Sequence, residues 1–383
     1  MSPFCPGFIL NLLTTCGCFM VLYHTVSFWM GVITSLVLVM WCLFLLFPDQ
    51  KHTHDWDCIK TGLLFSFISA IGCGLSCLVI SVILNDYSTI VCTFKECCAD
   101  SWITPNITGL SFLLHESVFG QHVAVGTIIK LLRGHLETSS SKPLLLSLHG
   151  PSGTGKSYVT KLIIENLYHQ GQESQFVHFI SPVTDILSME DTDTYKVKLK
   201  SQIEESVKRC SRSMFVFDTV DDMPAGVLDI LHPFLDYNNQ VNGVDYRKAI
   251  FIFLSKTGSS DIIHGAITSK KKGIQRRQLS LMDFEQMITN VAYESSSGLY
   301  KSSLISSNLI SAFVPFLPLE RTHVQQCIAQ ELMTKDIYKF DHQTDVEEVR
   351  IIADQLHYMP DSGFSVSGCK GVIEKINLVS RDE

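Results

Sequence analysis

Leu144-Leu-Leu-Ser-Leu-His149 runs directly into Gly150-Pro-Ser-Gly-Thr-Gly-Lys156-Ser157, and an amphipathic stretch over residues 158–169 follows. The first six residues form a short apolar run of strand type. The next eight match Gly-x-x-x-x-Gly-Lys-Ser, a loop whose backbone N–H groups close around phosphates. A helix that starts where the loop ends adds a favourable dipole for the same anion. Strand, loop and helix in that order is the context the motif requires. Gly150, Pro151, Ser152, Gly153, Thr154, Gly155, Lys156 and Ser157 are therefore read as a phosphate-binding loop. Lys156 is expected to reach the β- and γ-phosphates, and Ser157 to ligate Mg²⁺.

A second apolar run, Ser213-Met-Phe-Val-Phe217, ends at Asp218, sixty-two residues after Lys156. A carboxylate at the end of a buried strand is placed to hold Mg²⁺ beside the phosphates. Ala249-Ile-Phe-Ile-Phe-Leu-Ser255 reads as a further buried strand. Strands alternating with helical stretches imply an α/β fold, a parallel sheet flanked by helices with its ligand at the carboxyl ends of the strands.

At 383 residues the chain exceeds one ordinary domain. Its net charge of −8 excludes nucleic acid as the main partner, because neutralising phosphate backbones needs a basic face. Lys270, Lys271, Lys272, Arg276 and Arg277 form the one basic cluster, read as a solvated loop. A guanine-recognition Asn-Lys-x-Asp motif is missing from the sequence, which disfavours a GTPase.

Apolar residues concentrate at the start. Residues 1–47 carry no Lys, Arg, Asp or Glu, and uncharged stretches of 22 and 23 residues occupy 26–47 and 62–84. A bilayer core of about 30 Å needs about 20 apolar residues in a helix. Two membrane helices are expected there, with a third over 8–23 open. Lys51 and Lys60 between the two spans place that loop in the cytosol and everything after residue 85 in the lumen. Asn106-Ile-Thr108 is an N-glycosylation acceptor, usable on the lumenal side. Cys92, Cys97, Cys98, Cys210, Cys327 and Cys369 are the cysteines available to pair there, in an order that spacing does not fix.

These features sit among stretches that resemble the torsin family of AAA+ ATPases. The stretches are Val91-Cys-Thr-Phe-Lys-Glu-Cys-Cys98, Val118-Phe-Gly-Gln-His122, Pro233-Phe-Leu-Asp-Tyr237, Phe251-Ile-Phe-Leu-Ser255, Phe313-Val-Pro-Phe-Leu-Pro-Leu319 and Gly368-Cys-Lys370. The resemblance spans roughly residues 91–380. It implies a nucleotide-binding domain over 91–318 and a small helical subdomain over 319–383, behind the membrane-anchoring region that the apolar stretches place over 1–90. It also implies ATP and Mg²⁺ as cofactors, a chaperone or membrane-remodelling role, and a location in the lumen of the endoplasmic reticulum or nuclear envelope. The implied partners are other torsins or activators of the lamina-associated polypeptide 1 type, which donate an arginine finger, within a homo- or hetero-oligomer. Lys370 falls in the family's sensor 2 motif, where a cation senses the γ-phosphate. Cys327 and Cys369 match a redox-sensitive pair, and Cys210 with one of Cys92, Cys97 and Cys98 matches a structural disulfide.

Two positions depart from the family where the chemistry lies. Torsins carry Glu after the strand-end Asp, to polarise the attacking water; here Thr219 takes its place. Torsins carry a sensor 1 Asn after the strand at 251–255; here it is Lys256. Loss of water-positioning groups costs orders of magnitude in phosphoryl-transfer rate. Hydrolysis is therefore expected to be weak or absent while binding persists, which leaves a non-hydrolysing, ATP-gated scaffold as the alternative. Asp221 and Asp222 are nearby acids, but they lie out of phase with the lost base.

Overall fold

The computed structural model describes residues 91–182, 192–334 and 342–379. The chain forms two compact units, Met1–Phe94 and Lys95–Glu383, and the second carries all the strands and helices named below. The expected spans at 8–23, 26–47 and 62–84 lie outside the described residues. Among the described residues no helix is long and apolar enough to cross a membrane.

Five parallel strands form one sheet: β1 Leu144–His149, β2 Val177–Ile180, β3 Met214–Phe217, β4 Ile250–Ser255 and β5 Ala312–Pro315. Their order is β2-β3-β4-β1-β5, so β1 lies between the last two strands to appear in the chain. The order reverses around β1, and such a switch point opens a crevice at the carboxyl ends of the strands. The P-loop leaves β1 at that point.

Strands β1, β3, β4 and β5 are buried on both faces, as the near-continuous apolar runs require, whereas the edge strand β2 leaves Phe179 exposed. Alternation then sorts the side chains. Leu144, Leu146 and Leu148, with Met214, Val216, Ile250, Ile252, Leu254, Ala312 and Val314, face one core. Leu145, Phe215, Phe217, Phe251, Phe253 and Phe313 face the other. The second face is an aromatic ladder. Phe215 stacks on Phe251 at 5.0 Å, and Phe217 meets Phe253 edge-on at 5.1 Å. Such pairs add about 0.5–1.5 kcal/mol to their burial.

Helices α1 Ile107–Ser117, α2 His122–Glu137 and α3 Lys156–Leu167 supply the aliphatic side. Asn106 caps α1, its side-chain oxygen accepting from the Gly109 N–H at 2.8 Å. On the aromatic side lie α4 Thr192–Arg209, α5 Ser259–Lys271 and α6 Glu285–Glu294. Beyond β5, α7 Arg321–Thr334, α8 His342–Asp354 and α9 Val372–Val379 enclose a third core around Val324, Ile328, Leu332, Ile352 and Ile376.

The basic cluster is exposed at Lys270, Lys271, Lys272 and Arg277, as its composition suggests, but it begins in a helix and two of its residues also bind folded neighbours. Lys270 and Lys271 close α5, where the helix dipole favours cations. Lys270 Nζ donates to the Ser362 carbonyl at 3.1 Å and lies 5.4 Å over the Phe364 ring. Arg276 is half-buried and spans two distant segments. Its Nε and Nη2 donate to the Gly120 carbonyl at 3.0 and 2.7 Å, and Nη1 to the Pro318 carbonyl at 2.8 Å. Backbone carbonyls on folded neighbours leave no mark in local sequence, so composition alone pointed to solvent.

Candidate nucleotide site

The P-loop occupies the turn between β1 and α3. Lys156, the first residue of α3, folds back so that Nζ donates to the carbonyls of Gly150 at 2.5 Å and Pro151 at 2.9 Å. Burial pushes its ammonium down to about 8, opposed by Asp221 and Asp218. The lysine is held in place by acceptors that phosphate oxygens would outcompete. Ser157 is exposed on the first turn of α3, and Asp218 is exposed just past the end of β3. Among the described residues no group of three His, Cys, Asp or Glu stands ready to hold a metal unaided.

Thr219 follows Asp218 in the left-handed region, at φ 53° and ψ 55°. A β-branched residue there is a true outlier and stores about 1–3 kcal/mol. Its surroundings impose the shape. The Asp222 N–H donates to the Thr219 carbonyl at 3.0 Å, and the Gly298 N–H to the Val220 carbonyl at 3.2 Å. Gly298 permits that approach, since a Cβ there would lie 2.3 Å from the Val220 oxygen.

Asp221, weighed above as a substitute base, has another task. Its carboxylate accepts from Ser255 Oγ at 2.6 Å, the Lys256 N–H at 2.5 Å, the Thr257 N–H at 3.2 Å and Thr257 Oγ1 at 2.5 Å. Burial alone would raise its pKa, but these donors outweigh burial and hold it below the ordinary carboxylate value. A carboxylate saturated with donors is a poor proton acceptor.

His149, fully buried at the end of β1, completes the arrangement. Its Nδ1 lies 3.0 Å from the Thr257 carbonyl and its Nε2 2.7 Å from Ser147 Oγ. A carbonyl only accepts, so Nδ1 carries the proton and Nε2 accepts from the serine hydroxyl. Burial pushes the imidazole down to about 4, so it is neutral at physiological pH. The loop after β4 is thereby held from β1 by His149 and from the turn after β3 by Asp221. Neither contact was foreseen; His149 directly before the P-loop was the available signal.

The C-terminal helices reach the same loop. The Cys369 N–H donates to the Gly153 carbonyl at 2.9 Å. A Cβ on Gly153 would lie 1.8 Å from the Ser367 oxygen and 3.0 Å from Lys370 Cβ. Lys370 is thus brought against the P-loop. Buried Gln121 ties a third segment in. Its amide nitrogen donates to the carbonyls of Thr154 at 3.0 Å and Leu317 at 2.8 Å, and its oxygen accepts from the Leu317 N–H at 2.8 Å. Gln121 lies inside Val118-Phe-Gly-Gln-His122 but was given no role from sequence.

Similarity to known proteins agrees with this geometry. A family model described as Torsin matches residues 92–217. A Torsin-like protein of Caenorhabditis elegans is 37% identical over 290 residues, covering 75% of this chain and 81% of that protein. A Torsin-like protein of Drosophila melanogaster is 36% identical over 294 residues, covering 75% and 85%. The chain belongs to the torsin family. Its fold is also that of the chain in the S. cerevisiae Hsp104–ADP complex, at a TM-score of 0.50 and 17% identity. That match covers 72% of this chain and 47% of the Hsp104 chain, so it spans about half of the larger protein. The Hsp104–casein complex in its extended conformation gives a TM-score of 0.51.

Within this torsin the cysteines pair in two places that bear on the site. Of the three candidates for Cys210, it is Cys98 that bonds to it. Cys327 of α7 bonds to Cys369, the residue whose N–H rests on Gly153. One covalent bond therefore joins the third core to the turn that touches the P-loop. Asn106 is exposed, and its cap uses the side-chain oxygen.

Proposed function

We propose that this torsin is an ATP- and Mg²⁺-binding AAA+ protein of the endoplasmic reticulum or nuclear-envelope lumen, of the chaperone or membrane-remodelling type, in which hydrolysis is weak. The observation that carries this is the saturation of Asp221 beside an intact P-loop. With Thr219 in place of the water-activating Glu, Asp221 is an acid held in a fixed position close by, and four donors occupy it. Phosphate binding keeps its groups: the P-loop amides, Lys156, Lys370, Ser157 and Asp218. The same observation favours a second reading, an ATP-gated scaffold subunit that assembles with active torsins or with lamina-associated polypeptide 1 type activators and does not turn over.

The division into a membrane anchor over 1–90, a nucleotide domain over 91–318 and a helical subdomain over 319–383 belongs to this reading. So do lumenal exposure with a glycan on Asn106, and redox sensitivity of the Cys327–Cys369 bond. ATP turnover by the full-length protein tests the function, alone and with an activator's lumenal domain, against the Thr219→Glu, Lys256→Asn double variant. Turnover in the double variant alone supports the weak-hydrolysis reading. Equal turnover by both overturns it.

A further inference from the structure

The end of β4 lies beside the P-loop. In the β1–β4 register His149 faces Ser255. Neighbouring strands run about 4.8 Å apart, so Lys256 begins next to Gly150, onto whose carbonyl Lys156 is folded. Lys156 and Lys256 are near enough for their charges to repel. Lys370 also lies against this loop, at Gly153. The acids facing them are Asp218 and Asp222, both exposed, and Asp221, whose oxygens are taken by donors.

Lys256 is also held with unusual completeness for a loop residue. Its N–H donates to Asp221, and its carbonyl accepts from the Ser259 N–H at 3.1 Å and from Ser259 Oγ. The next residue, Thr257, is fixed by Asp221 through its N–H and hydroxyl and by His149 through its carbonyl. From this clamp the Lys256 side chain emerges exposed. A compact ammonium on a fixed backbone, beside the loop that cradles phosphate, does electrostatic work that a bound metal otherwise does. In a partly buried site such a charge acts more strongly than in bulk water.

We propose that Lys256 is a phosphate-binding cation that stands in for part of the charge of Mg²⁺, so that this torsin binds nucleoside triphosphate with little dependence on a divalent ion. Asp221 and His149 are positioning residues for it. This rests on the nucleotide-binding reading above and deepens it: the residue that replaces a hydrolytic group becomes a ligand group.

Isothermal titration of the full-length protein with ATP, in magnesium and in EDTA, tests it. Chelation is expected to weaken the wild type less than about 5-fold and the Lys256→Asn variant about 50-fold or more. Lys256→Gln, which also removes the charge from an exposed position, is expected to match Lys256→Asn. Asp221→Asn is expected to raise the magnesium dependence of the wild type and to add nothing in the Lys256→Asn background, a coupling that general loss of folding would not produce. A wild type that loses affinity on chelation as steeply as Lys256→Asn overturns the inference and leaves the nucleotide-binding reading standing. Failure to bind ATP even with magnesium overturns both.

Discussion

The carboxylate of Asp221 and the backbone N–H of Lys256 lie 2.5 Å apart, joining the turn after β3 to the end of β4. Asn at 221 keeps the shape but offers one acceptor oxygen, uncharged, to four donors. Hydrogen bonds to a charged group contribute about 1.5–3 kcal/mol each, so Asp221→Asn is expected to cost about 2–4 kcal/mol at pH 7. Because the folded carboxyl titrates below its unfolded value, its contribution is full above the unfolded pKa and is lost as pH falls through the folded one. Urea midpoints of wild type and variant should therefore converge in strong acid. A gap that stays constant with pH would rule out the charge as its source.

His149 gives a second acid sensitivity, of the same sign but in a higher pH window. Unfolded, it takes a proton near pH 6.5; folded, it resists until about 4. Stability is level above pH 6.5 and declines as pH drops between those values, by ~3 kcal/mol at most. His178 and His323 are also pushed down to about 4 by burial and add to the slope. His149→Gln should make the decline in unfolding free energy between pH 6.5 and 4 shallower. An unchanged slope would count against a neutral, buried His149.

Two glycine substitutions should differ in sign. Gly153 has φ +76°, and a Cβ there would meet the Ser367 oxygen at 1.8 Å. Gly153→Ala should displace the turn bearing Lys370, lower the melting temperature and weaken ATP binding together. Gly134 lies within α2, where an added Cβ meets nothing within 4 Å. Gly134→Ala should stabilise by about 0.5–1 kcal/mol and leave ATP affinity alone. Calorimetry of both variants gives the comparison.

Thr219 stores strain that Asn, tolerant of the left-handed region, would relieve. Thr219→Asn is expected to raise stability by about 1 kcal/mol. A melting temperature that does not rise would show that the threonine side chain compensates its own backbone.

The readable parts of this protein were those whose signal is local. An apolar run, a glycine loop and an amphipathic helix occupy adjacent residues, and β1, the P-loop and α3 formed where that order required. The strand ends at Asp218 and Ser255 were legible for the same reason. Gln121, Asp221, Arg276 and Lys270 were not, because each acts on backbone groups far away in sequence; Gln121 reaches Leu317, 196 positions on. No residue pattern encodes which carbonyl a side chain will find. The family resemblance located Lys370 near the loop, but only the contact of Cys369 with Gly153 shows how it arrives there.

The two faces of the sheet also have a history in time. The aliphatic side draws its helices from the chain before β2, whereas most of the aromatic side comes from residues 195–317. Cys98 and Cys210 bracket α1, α2, β1, α3, β2 and α4, and β3 begins only at Met214. On a chain made from its N-terminus, both thiols emerge while three of the five strands are still unmade. Oxidation at that moment would close a ring of 112 residues' separation around half a domain, sparing the later strands about 5 kcal/mol of chain entropy that they would otherwise have to overcome. The order of synthesis and the order of assembly would then coincide, with the disulfide as the hinge between them.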